Sequence, residues 1–184
     1  MPRIAKLSKT ALADHISPVF QAYGYEGASL SMLASAAGMS KASLYHHFPN
    51  GKQDMAAHVL GRAGVRLQQH ILGPLAGTGP AVDRLEKSFR GVASYYSGDV
   101  PVCLMNSLLL GEGTTLFAEQ ISTAVQAWQD SLAAAYGEMT GGGRDSERAA
   151  ISLERIQGAL VLCRVAQART SLDGCIDSLI TEIA

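Results

Sequence analysis

Apolar residues recur along this chain at spacings of three and four, and stretches alternating with period two are missing, so the pattern predicts helices nearly throughout. Leu12, Ile16, Val19, Phe20 and Tyr23 form a first stripe, entered through Ser8 as N-cap and stopped at Gly24. Pro18 falls inside it and removes the hydrogen bond to the carbonyl of Asp14, so a kink is expected there. Leu30, Leu33, Ala34 and Ala37 mark a short second helix that starts at Ser29 or Ser31 and ends at Gly38. A third covers 41–47, with Leu44 and Phe48 turned inward, and Pro49-Asn50-Gly51 then reads as a turn. A long helix over 52–72 carries Met55, Val59, Leu60, Ala63, Leu67 and Ile71, closed by the Gly/Pro cluster at 73–80.

Further helices are expected over 81–97, 102–110, 115–139, 146–170 and 172–183, with Gly141-Gly142-Gly143 as the clearest flexible break. The helix at 146–170 is apolar on nearly every side between Ile156 and Ala166 and therefore needs cover on two faces. The fold class read from this pattern is all-α.

Composition narrows the function classes. The 184 residues include 15 Lys+Arg against 16 Asp+Glu, with 47% hydrophobic and 17% charged residues. That is a globular composition, with enough chain for one domain or two small ones. Three cysteines, Cys103, Cys163 and Cys175, form neither a CxxC motif nor an even framework, which points to a reducing cytoplasm rather than a disulfide scaffold. The polar, basic start MPRIAKLSKTALADH is unlike a secretory leader. No apolar run approaches the ~18 residues that span a bilayer, so no membrane partner is expected.

The net charge of -1 hides an asymmetry: residues 1–52 carry Arg3, Lys6, Lys9, Lys41 and Lys52 against only Asp14 and Glu26. The basic end is where a polyanion would be met. Within it, Ser29 to Phe48 reads as two short helices joined by a glycine turn, the second with small or polar residues outward. A helix-turn-helix needs that arrangement, because its second helix must stand clear of the core to enter a ~12 Å major groove. Gly38 suits the positive φ of such a turn, Met39 packs inward, and Ser40 caps the second helix. Lys41 reaches a phosphate or a guanine edge, and Ser43 and His46 hydrogen-bond to base edges or backbone. Ala42 permits close approach, and Tyr45 offers its hydroxyl to phosphate. Ser29 and Lys52, each at a helix start, are placed for phosphate. The same residues also fit an ordinary solvated face.

The run YGYEGASLSMLASAAGMSKASLYHHFPNGKQDM resembles the N-terminal DNA-binding domain of the TetR family of bacterial transcriptional regulators. The resemblance rests on Phe20, Gly24, Tyr25, Ser29, Ala34, Ala37, Gly38, Met39, Ser40, Leu44, Tyr45, His47, Phe48 and Lys52. Met32 stands where an acidic residue is common, Ala42 where glycine is common, and Pro18 interrupts the first helix. The extra glycine in YHHFPNGK resembles a branch containing repressors of multidrug efflux and similar stress genes.

The resemblance implies a three-helix helix-turn-helix domain at 1–50 and a helical bundle at 51–184 for ligand binding and dimerisation. Its implied partners are double-stranded operator DNA, a small and largely apolar effector, and a second copy of the chain. The last two helices of each subunit would form the interface, which agrees with the cover needed at 146–170 and with the apolar stripe Leu172, Ile176, Leu179, Ile180 and Ile183 of the last helix, for which the sequence offers no obvious intramolecular partner. Ile156, Gly158, Leu160, Leu172, Ile176, Leu179, Ile180 and Ile183 are the candidate interface residues.

Tyr95, Tyr96, Cys103, Met105, Asn106, Leu109, Phe117 and Trp128 are candidates to line an effector cavity, although each also fits an ordinary core position. Cys103 fits a small buried hydrophobe better than a redox sensor, since no nearby base lowers its pKa. Five His and three Cys have no metal-ligand spacing, and Gly111-Glu112-Gly113 lacks the preceding strand of a dinucleotide fingerprint, so neither metal nor cofactor is expected. Paired carboxylates, a nucleophile–base set and a phosphate loop are also missing from the sequence. The alternative to a regulator is a helical enzyme or small-molecule binder with a degenerate helix-turn-helix.

Overall fold

The computed structural model describes residues 8–184, all of whose regular elements are helical. Arg3 and Lys6 of the basic end lie outside the described residues. The chain divides into two compact units. One comprises the residues up to Gly64 together with Leu104–Glu119, and the other comprises Val65–Cys103 together with Gln120–Ala184.

In the first unit, α1 (Lys9–Gly27) begins where expected: the Ser8 hydroxyl accepts the Ala11 N–H at 3.1 Å. Each such cap satisfies a donor the helix cannot, and is worth about 1 kcal/mol. The kink expected at Pro18 is displaced. Helical dihedrals continue through Pro18, which is exposed, and the break falls at Gly24, with φ +67° and ψ -171°. The Asp14 residue facing the missing donor is itself exposed, so water can serve the carbonyl that Pro18 leaves unbonded. Tyr23, expected on the buried stripe, is 58% exposed, whereas Tyr25 just beyond the break turns into the core.

Helices α2 (Leu30–Ala36) and α3 (Lys41–His47) follow. Between them Gly38, at φ +65°, closes α2. Its N–H bonds to the Ser35 carbonyl and that of Met39 to the Ala34 carbonyl, both at 3.0 Å, the double bond of a Schellman end. Space around Gly38 is open, so the requirement for glycine there is conformational. Leu12, Ile16, Phe20, Leu33, Leu44, Phe48, Met55 and Ala56 are all fully buried and build the core.

Against α1 pack α7 (Leu104–Leu108) and α8 (Gly113–Leu116). Here two expectations are corrected. The helix expected over 102–110 is cut to five residues, and the one expected over 115–139 is broken at Phe117. The cause is tertiary: Phe117 is buried with its ring edge-on to Tyr25, 5.3 Å between centroids, and its φ of -121° lies outside the helical range.

α4 (Gly51–Leu67) supplies residues to both units along the chain. In the second unit it passes through a π turn, Gln68–Leu72, and a last turn, α5 (Gly73–Leu75), where Pro74 sits among the first residues and needs no donor. α6 (Ala81–Tyr95) packs on this widened turn, and Ser88 donates to the Ile71 carbonyl at 3.1 Å. α9 (Ala118–Thr140), α10 (Ser146–Ala166) and α11 (Thr170–Thr181) complete the unit. α10 ends four residues before the expected Thr170 because Gln167 adopts a left-handed conformation, φ 52°. Trp128, Leu132, Tyr136, Ile156, Leu160 and Leu172 are buried at its centre.

Candidate nucleic-acid interface

The second helix of the turn divides cleanly between core and solvent. Leu44, and Phe48 at the C-cap, have no accessible surface, and Lys41, Ala42, Ser43, Tyr45 and His46 are all exposed. Two buried anchors at i and i+4 fix the rotation of a seven-residue helix that could not stand alone, and the opposite face is thereby held outward.

The serines have local duties. Ser29 accepts the Met32 N–H at 3.2 Å, and Ser40 accepts the Ser43 N–H at 3.1 Å, so each fixes a helix start. The Ser40 and Ser43 hydroxyls also lie 3.0 Å apart. Both serines remain exposed, so capping leaves them reachable by a ligand. Tyr45, 42% exposed, sets its ring beside Gly51, where a Cβ would stand 3.5 Å from Cε1. Beside it the His46 and His47 rings meet edge-on at 5.8 Å.

Lys52, expected at a phosphate, has contacts within its own subunit. Its Nζ donates to the Glu26 carbonyl at 3.3 Å and lies 4.5 Å from the centre of the Tyr25 ring, so the ammonium of this half-buried residue is engaged by the end of α1. Burial, and after it the charge of Glu112, pushes the Tyr25 hydroxyl above its ordinary pKa. Neither contact of Lys52 is readable from a single lysine at a helix start.

The expected effector residues are divided between the two compact units. Met105, Asn106, Leu109 and Phe117 belong to the first compact unit, while Tyr95, Tyr96, Cys103 and Trp128 belong to the second. Within the second, the Tyr95 and Tyr96 rings meet edge-on at 4.7 Å, and the Tyr96 hydroxyl donates to the Cys103 sulfur at 3.6 Å. Trp128 is a core residue. An open cleft of about 440 Å³ in the second unit is lined instead by residues that include Leu75, Arg84, Ser131 and Glu138, and by none of those eight. Arg84 there donates to the Leu75 carbonyl at 2.9 Å and pairs with Glu138.

Most of the expected interface residues are enclosed within the subunit. Ile156, Leu160, Leu172, Ile176, Leu179 and Ile183 are buried within the subunit itself, and Ile180 is half-buried. The reason is that α11 packs against α10 and α6, which supplies the stripe of α11 with an intramolecular partner. Arg155 reinforces the contact by donating to both carboxylate oxygens of Glu182, at 2.9 and 2.8 Å. Gly158 alone of the eight is exposed, and it lies on the other side of α10. Ile151, Val161, Leu162 and Val165 are exposed on α10, Val165 to 78%. Ile151, Gly158, Leu162 and Val165 fall at steps of seven, four and three on one helical face, of which only Gly158 is among the expected interface residues.

Among the described residues no helix is long and apolar enough to cross a membrane. Residues 17–59 match the sequence model of bacterial regulatory proteins of the tetR family. Over 116 residues the chain is 26% identical to the uncharacterized HTH-type transcriptional regulator YxaF of Bacillus subtilis (strain 168), covering 63% of this chain and 61% of that one, less than two thirds of the relative's length. Over 181 residues it is 24% identical to the HTH-type transcriptional regulator LmrA of the same organism, covering 94% and 96% of the two chains. The fold is shared with a solved structure of the TetR family regulator CifR, a cysteine mutant complexed with 26 bp double-strand operator DNA, at TM-score 0.74 and 20% identity over 98% of each chain. Over residues 17–59 the chain is thus similar to bacterial regulatory proteins of the tetR family, and its fold is shared with solved structures of TetR family regulators.

Proposed function

We propose that the chain is a ligand-responsive transcriptional repressor that binds operator DNA as a homodimer in the cytoplasm and is released by a small, largely apolar effector. The observation that carries the DNA-binding part is the division of α3, with two fully buried anchors behind five exposed residues suited to bases and phosphate. Residues 1–50 would read the operator, and 51–184 would supply dimerisation and effector binding.

Two copies would meet through the apolar face of α10, where Gly158 permits close backbone approach and Ile151, Leu162 and Val165 provide area to bury. An isologous contact of this kind sets the spacing of two α3 helices for successive major grooves. An effector that favours a conformer with a different spacing then shifts the population off DNA, typically by about 1 to 3 kcal/mol. α4 is the lever in this reading, and Gly61 and Gly64 within it ease its bending. The run YHHFPNGK at 45–52 suggests efflux or stress genes as targets.

The test is binding to the promoter region adjoining the protein's own gene across a salt series. A repressor of this kind gives a steep fall of log K with log[salt], and Lys41→Ala weakens binding. A flat salt dependence, or equal affinity for every duplex offered, overturns the reading.

A further inference from the structure

The contacts of Lys52 converge on one short stretch of chain. Its ammonium is held by the Glu26 carbonyl and over the Tyr25 ring. The carboxylate of the same Glu26 accepts the Glu112 N–H at 2.8 Å, and the Tyr25 ring rests edge-on against Phe117. Both supports of Lys52 are thus braced by residues 112–117. Glycine at 111 is what lets the carboxylate in, because a Cβ there would stand 2.6 Å from the Glu26 Cδ. The braced end of α1 is further fixed where Ser107 donates to the Gln21 carbonyl at 2.8 Å. Along the chain this stretch is continuous on both sides with the other compact unit, through Cys103 and Gln120.

We infer that Glu26 is a positioning residue for DNA recognition, whose grip on the Gly111–Glu112 turn keeps the Lys52 ammonium on the end of α1 and withholds it from phosphate. The inference rests on the repressor reading above and adds to it a specific lysine whose availability is set by residues 107–117. A displacement of that stretch takes the Glu112 N–H away from the Glu26 carboxylate and the Phe117 prop away from Tyr25 together, and Lys52 is then free to swing outward.

Two glutamate variants separate the grip from the charge. Glu26→Gln and Glu26→Ala both remove the negative charge, but only the glutamine keeps an oxygen for the Glu112 N–H. Gly111→Ala pushes the carboxylate out with no change of charge. Without DNA, the rate at which an amine-acylating reagent modifies Lys52, read by mass spectrometry, is expected to rise in Glu26→Ala and Gly111→Ala and to stay at the parent value in Glu26→Gln. With operator DNA, the slope of log K against log[salt] steepens by about 0.9 in Glu26→Ala relative to Glu26→Gln, one additional phosphate neutralised, and Lys52→Ala abolishes the difference. Equal Lys52 reactivity in the two glutamate variants, or equal salt slopes, overturns the inference. Absence of operator binding by the parent protein overturns the repressor reading instead, and the acylation rates still decide the role of Glu26.

Discussion

Gly24 lies against the carbonyl of Ser107, so close that a Cβ at position 24 would stand 2.8 Å from that oxygen. Its φ of +67° and ψ of -171° also fall in a region open essentially to glycine alone. Gly24→Ala therefore carries a conformational cost and an overpacking cost, together about 3 kcal/mol. Thermal denaturation should show Tm lower by roughly 6–12 °C for a chain of this size. Gly61→Ala is the control: its Cβ meets nothing within 4 Å in the middle of α4, so stability should hold or rise by roughly 0.5–1 kcal/mol.

The helix-turn-helix is the part most legible in the sequence, because its determinants are local. Ser8, Ser29 and Ser40 each cap a helix, and Gly38 closes α2 with a backbone that glycine favours, so the elements follow from neighbours in the chain. The break at Phe117 is invisible to periodicity, since it is made by a ring that packs on Tyr25 from far away in sequence. The faces of α10 are hidden for another reason. A helix apolar on nearly every side has no phase to read, so the stripe through Ile156 and Leu160 looked as good an outward face as the one through Ile151, Leu162 and Val165. Lys52 illustrates a third limit. Its partners are a backbone carbonyl and a ring at the end of α1, which no motif spacing encodes.

The α10 faces make opposite predictions for two leucines. Leu162 is 56% exposed, so Leu162→Glu should leave the subunit folded but place charge in the proposed contact with a second copy. Sedimentation should find a lone protomer at micromolar concentration, with operator affinity lost in parallel. Leu160 is buried in the subunit, and Leu160→Ala should lower stability by about 2–5 kcal/mol through a core cavity. A Leu162→Glu protein that still sediments as a dimer removes this face from the interface.

On the DNA side, the exposed face of α3 presents Lys41 as its fixed positive charge. Lys41→Ala should flatten the slope of log K against log[salt] by about 0.9 if it meets phosphate. If it reads a guanine edge instead, discrimination between operator and altered sites should fall by about 1–3 kcal/mol at one base position. Tyr45→Phe removes only a hydroxyl from an exposed ring, so stability should be unchanged and any loss of affinity reports a phosphate contact. Filter or anisotropy titrations on the same duplex series distinguish these outcomes.

Alkaline stability is set in part by the tyrosine pair at the end of α6. Burial, and then the charge of Cys103, pushes the Tyr95 hydroxyl up to about 12, against an opposing pull from Arg66, whose guanidinium carbon lies 5.1 Å from the centre of the Tyr95 ring. Tyr96, fully enclosed beside it, is pushed the same way by burial first and by Cys103 second. In the unfolded chain a tyrosine loses its proton near pH 10, so between about 10 and 12 the unfolded state binds fewer protons than the folded one. Stability contributed by keeping these protons is complete below pH 10 and falls as pH rises through that window. Tyr95→Phe removes one titrating group and should flatten the decline by up to about 2 kcal/mol between pH 10 and 12. Urea denaturation of both proteins across that range checks it, with the phenolate absorbance recorded in parallel. A parent protein that ionises all its tyrosines near pH 10 while still folded contradicts the enclosure of this pair.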